Sequence, residues 1–72
     1  MKISEYYKEV HEYHKRCKSD LRLGQSFMNV LYLANHNAYR RVQNTLRDPF
    51  YMDENIPNFL RYITNHWSYE DK

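Results

Sequence analysis

One glycine, Gly24, and two prolines, Pro49 and Pro57, are the only strong breakers of regular structure in 72 residues. Where breakers are absent and apolar side chains return every three or four positions, the helix is the expected form, since about 3.6 residues per turn bring such positions to one face. The opening segment follows this rule. Ile3, Tyr6, Tyr7, Val10, Tyr13, His14 and Cys17 recur at that step, while Glu5, Lys8, Glu9, Glu12 and Lys15 fill the opposite side. The pattern predicts a first helix from Ser4 to Lys18 with Ser4 as its N-cap. Acidic residues come early in it and basic ones late, the order that complements the helix dipole.

Asp20 is the next capping residue, and a second helix is predicted from Leu21 to Ala34. Leu23, Phe27, Val30, Leu31 and Ala34 share one sector of it, with Gly24 at the edge, whereas Met28, Tyr32 and Leu33 fall on other sides. A helix so widely apolar belongs at the centre. Glycine within a helix costs up to about 1 kcal/mol relative to alanine, so Gly24 implies the close approach of another backbone. Asn35 or Asn37 caps a third helix, His36 to Leu46, with Tyr39, Val42 and Leu46 pointing one way and Arg40, Asn44 and Arg47 another. Asp48 and Pro49 then break the pattern, and Phe50 with Tyr51 is expected to pin the resulting loop to the core. Asp53 or Asn55 starts a last helix that tolerates Pro57 in its first turn and carries the stripe Ile56, Phe59, Leu60, Ile63, Trp67. The expectation is an all-α protein, a small bundle of three to four helices forming one domain over residues 1–72, with residues 1–3 and 68–72 frayed.

A chain of this length draws about 3–5 kcal/mol from a single core, so each large apolar group matters. Cys17 is the only cysteine and can form no disulfide within the chain, in keeping with a reducing compartment. The start "MKISEYYKEV" lacks the apolar stretch of a signal peptide, and no run approaches the roughly 18 apolar residues of a membrane span. A soluble cytoplasmic protein is expected.

Candidate chemistry is sparse. His11, His14 and Cys17 are metal-capable, but their spacing of three swings successive side chains out of line, and no second pair completes a tetrahedral site. Cys17 beside His14 lacks oxyanion donors, and there is no phosphate-binding glycine loop. No metal, no cofactor and no enzymatic activity are expected. Charge is the stronger signal: residues 15–47 hold Lys15, Arg16, Lys18, Arg22, Arg40, Arg41 and Arg47 against Asp20 alone, between acidic flanks. Such asymmetry points to an anionic partner. Eight tyrosines serve either a small core with wet edges or a protein-binding face.

Two surfaces follow. In the first, Tyr32, Tyr39, Arg40, Arg41 and Arg47 contact the acidic surface of a protein partner, with Tyr6 or Tyr7, Met28, Tyr62 and Trp67 as further spare large groups able to support a homodimer. In the second, the two helices around the turn "NHN" outline a helix-turn-helix whose Arg40, Arg41, Gln43, Asn44 and Arg47 contact nucleic acid.

The pattern Arg22, Gly24, Gln25, then Asn29, then Asp48, Pro49 and Phe50, with an apolar helix between and a helix after, resembles short proteins encoded by tailed bacteriophages, including phages of cyanobacteria. The likeness spans residues 20–66 and carries over no functional residue. It implies a small cytosolic protein made during infection, a class in which binding and redirecting a host protein is common, or else a small virion or assembly component.

Overall fold

Why the helices start and stop where they do is written mostly in side chains that reach back to the backbone. In the computed structural model, which describes residues 2–17 and 20–67, the chain forms α1 (Ile3–Arg16), α2 (Leu23–Ala34), α3 (His36–Val42), a short 3-10 turn (Asp53–Asn55) and α4 (Ile56–His66). The all-α expectation holds. The ends expected to fray lie outside the described residues, apart from Lys2 and Ile3, and Ile3 is already helical.

Ser4 does not cap α1. Glu5 reaches back so that its Oε1 accepts the Lys2 N–H at 2.9 Å, which starts the helix one residue earlier than Ser4. Gln25 does the same for the Arg22 N–H at 2.9 Å and sets the start of α2 at Leu23, while the Asp20 and Leu21 N–H groups turn back to the Cys17 carbonyl. Asn35 is a double boundary: it ends α2, and its side chain accepts the Ala38 N–H at 3.1 Å to open α3.

The third helix is shorter than its periodicity predicts, ending at Val42 instead of Leu46. Asn44 takes a left-handed conformation, φ 63°, which asparagine tolerates better than most residues. The buried Asp48 holds this exit. Its carboxylate accepts the Asn44 N–H at 2.7 Å and the Phe50 N–H at 2.8 Å, its own carbonyl accepts from the Asn55 amide at 3.0 Å, and the Thr45 hydroxyl donates to the Val42 carbonyl at 2.6 Å. Competing side-chain bonds of this kind outweigh a weak helix pattern. Leu46, expected to point inward with Val42, is 86 % exposed as a result. Phe50 packs on the core as anticipated, but Tyr51 lies outside it, edge-on to Phe50 at 4.9 Å.

α2 is the central helix and packs most extensively on α1. Phe27 sits between Tyr6 and Phe59, with ring centroids 6.3 and 5.4 Å away, and Val10, Met28, Leu31, Ala38, Val42 and Ile63 complete the buried set. Met28, which the sequence pattern placed away from the core, is buried because α3 and the 43–50 loop cover a second side of α2. Leu23, placed inside, is exposed at the start of the helix.

A polar seam ties α1 to its neighbours. The Tyr6 hydroxyl donates to the Phe27 carbonyl at 2.7 Å, His14 Nδ1 meets the buried Ser26 hydroxyl at 2.9 Å, the Asn29 amide donates to the Tyr13 hydroxyl at 3.2 Å, and Tyr7 meets Thr64 of α4 at 2.9 Å. Burial, reinforced by the neighbouring Tyr7, pushes the Tyr6 phenol well above its ordinary value. No helix among the described residues is long and apolar enough to cross a membrane.

Candidate interaction surface

The joint between α2 and α3 is a single residue, Asn35, and this fixes which side chains meet there. Tyr32, in the last turn of α2, meets His36 edge-on at 4.8 Å and Tyr39 edge-on at 5.1 Å, and His36 stacks on Tyr39 at 5.8 Å. The three rings form one cluster. Tyr32 is 51 % exposed and the adjoining Leu33 84 % exposed, so two large side chains stand uncovered side by side at this corner; Leu46, Tyr51 and Met52 are exposed elsewhere. Leu33 also borders a shallow cavity of about 210 Å³ between α1 and α2, lined by Glu9, Tyr13 and Arg16 of α1 and by Asn29, Val30 and Ala34 of α2.

Arg40 follows His36 by four residues and therefore extends the same side of α3, with the exposed Arg41 beside it. Neither α2 nor α3 contains a carboxylate. The corner thus combines aromatic rings, one bare leucine and two arginines on two helices without a carboxylate, with Glu9 of α1 across the cavity beside Leu33. One buried donor, the Asn35 side-chain nitrogen, has no hydrogen-bond partner among the described residues, a burden of about 1–3 kcal/mol carried at the same joint.

Of the five residues assigned to a protein partner, Tyr32 and Tyr39 touch, and Arg40 and Arg41 continue from them along α3. Arg47 does not join the cluster: its guanidinium lies over the Tyr62 ring of α4, 4.6 Å from the centroid. Gln43, Asn44 and Arg47 all lie beyond the end of α3, so the helical spacing that put Arg40, Asn44 and Arg47 on one recognition face does not exist. Several residues counted as spare are in use. Tyr6 is fully buried, Met28 nearly so, and Trp67 stacks on Tyr6 at 5.1 Å. His36 and Leu33 are the members that sequence reasoning missed. Tyr32, His36 and Tyr39 are spaced by four and three, the helical-face signal, but a helix break at Asn35 resets the count.

The residues behind the phage-like pattern have structural tasks. The Gly24 N–H donates to Asp53 Oδ1 at 3.0 Å, and a Cβ at this position would stand 2.1 Å from the Pro49 carbonyl oxygen, so the expected close backbone approach is present. Arg22 donates to the Phe50 carbonyl and lies 3.7 Å from the Asp53 carboxylate. Gln25, Asn29 and Asp48 make the backbone and seam bonds already described. His14 is engaged with Ser26, and no group of three metal-capable side chains occurs among the described residues.

Comparison of the chain with known protein families, with curated proteins and with solved structures returns no match.

Proposed function

We propose that this protein is a small non-enzymatic interaction module that presents its α2–α3 corner to an acidic surface of a protein partner. The observation that carries the reading is the cluster of the exposed Tyr32 and His36 with the half-buried Tyr39, continued by Arg40 and Arg41 on helices that contain no carboxylate. Tyrosine and arginine are the side chains that most often anchor interfaces, because each supplies a large flat contact area with a polar or charged tip. A bare leucine beside them supplies apolar area that folding leaves unused. In the setting that the phage-like pattern implies, the partner is a host protein or another phage protein, and the work is done in the cytoplasm.

The test is affinity capture from a bacterial lysate treated with nuclease, comparing the native chain with the Arg40→Glu, Arg41→Glu double variant. The native chain is expected to retain a protein in stoichiometric amount, and the variant, with unchanged helicity by circular dichroism, to lose it. Equal retention by both, or a native bait that holds no stoichiometric protein, counts against the corner.

A further inference from the structure

The geometry points to a second site, a groove along α4 that binds single-stranded nucleic acid by stacking an unpaired base and holding its flanking phosphates. The groove encloses about 370 Å³, room for a nucleotide-sized group. Its wall is one continuous face of α4: Asn58, Arg61, Tyr62, Asn65 and His66 fall at steps of three and four, alongside the buried Phe59 and Ile63. Leu46 and Arg47 close it from the 43–50 loop. This is where the sequence expectation for Arg47 fails, and the failure is informative: leaving α3 brings the arginine to a tyrosine instead of to a helical row of polar side chains.

Three planar groups are gathered at Tyr62. The Arg47 guanidinium lies 4.6 Å from the ring centroid, and the His66 imidazole stacks on the ring at 4.2 Å with the planes 17° apart. The imidazole is held in place by a 2.9 Å bond between Nδ1 and the Tyr62 carbonyl. Arg47 and His66 are both exposed, so the stack ends in flat groups open to solvent. Arg61, also exposed, precedes Tyr62 in α4, and its Nη1 donates to the side-chain Oδ1 of Asn58 at 3.4 Å.

The lining contains two arginines, one histidine and two amides, and α4 itself has no carboxylate, so the groove selects an anion. An acidic side chain would need the arginines but not the planar stack. A nucleotide uses both, because every base has a flat face that stacks on aromatic and guanidinium planes while the phosphates take the charge. A paired base keeps its faces covered, hence the preference for a single strand. The groove shares no residue with the Tyr32 corner and does not depend on that surface having a partner.

The probe is a fluorescein-labelled oligothymidylate of about 12 nucleotides, followed by anisotropy at about 50 mM salt. The native chain is expected to bind it. Arg61→Glu should weaken binding about tenfold or more, Arg61→Gln should lower the slope of log affinity against log salt by about one, and Arg41→Glu, outside the groove, should change affinity less than about twofold. Because Tyr62 is half-buried, the exposed Arg61 and a His66→Ser variant carry the test, with helicity checked for each. The proposal is overturned by no binding of the probe, by an equal loss from Arg41→Glu and Arg61→Glu, or by equally tight binding of a blunt duplex of the same length. Preference for an oligoglutamate peptide over the oligonucleotide would overturn it too and make the groove a protein site.

Discussion

The two ends of α2 are built on opposite terms. At its start, Gln25 secures the Arg22 backbone, Gly24 presses against the Pro49 carbonyl and donates to Asp53, and Arg22 bonds the Phe50 carbonyl, so each polar or unusual residue there has a partner inside the fold. At its end, Tyr32 and Leu33 stand exposed, and the rings of His36 and Tyr39 gather round Tyr32 without adding a hydrogen bond to the core. The glycine and the polar residues of the first end are explained by stability, although Leu23 is exposed there too. The second sets two exposed large side chains, Tyr32 and Leu33, side by side next to a ring cluster, the surface that the proposed binding would use. Substitutions along α2 and the elements packed on it separate these two kinds of residue.

The largest effect is expected from the core that both ends share. Phe59 is fully buried against Phe27, and Phe59→Ala should remove about 3–5 kcal/mol, close to the whole reserve of a domain this small. The variant is expected to be largely unfolded by circular dichroism at room temperature, and a cooperative melt near the native one would contradict the core assignment. Next comes Gly24→Ala, expected to lose about 3 kcal/mol, because the added Cβ meets backbone that cannot swing aside. A gain in stability from the better helix former would mean that the start of α2 is not seated on the 49–53 segment. Asp48→Ala should follow at about 2 kcal/mol, since it strips the acceptor from the Asn44 and Phe50 N–H groups, and urea titration gives the value.

Tyr6→Phe has a smaller effect at neutral pH, about 1 kcal/mol, and a distinctive pH dependence. The Tyr6 phenol in the fold holds its proton well above the ordinary value, while the unfolded phenol releases it near pH 10. The folded state therefore binds more protons than the unfolded one above pH 10. The contribution is fully present below that pH and is lost above it, by at most about 1.4 kcal/mol per pH unit. Urea titrations at pH 8 and above pH 10 should show the native chain losing its lead over Tyr6→Phe, and parallel losses in the two chains would mean that Tyr6 is not enclosed.

How much of this could be read from the sequence follows the same division. Periodicity gave away the helices and most of the buried stripe, Phe27, Leu31, Phe59 and Ile63 among them, because those side chains obey a local rhythm. The reason for Gly24 was legible as a demand for close approach, though not the identity of Pro49 as the group that approaches. The end of α3 was not legible. It depends on Asp48 reaching back four residues to Asn44, a bond that the loop must fold before it can form, and every misplaced residue of that region, Leu46, Tyr51 and Arg47, follows from it. Met28 was misjudged for a related reason: a helix covered on two sides buries residues outside its main stripe. The candidate surface was half legible, since Tyr32 and Tyr39 could be chosen by type, whereas His36 and Leu33 become members only once Asn35 sets the angle of the corner.

The smallest expected effect is the one that sharpens the comparison most. A double variant, Tyr32→Ser with Leu33→Ser, removes two large side chains from the end of α2, and on hydrophobicity alone it would look destructive. Both are mostly or half in water already, and neither contributes a hydrogen bond to the core, so the change in stability should stay within about 0.5 kcal/mol. Serine is a slightly poorer helix former than leucine, which accounts for a loss of that order at a helix end. Thermal melts measure the stability, and capture of the proposed partner measures the surface. Unchanged melting with lost capture separates the binding end of α2 from the structural end. A drop of several kcal/mol would instead make Tyr32 and Leu33 part of the folding core, and the two ends of the helix would then differ in exposure without differing in purpose.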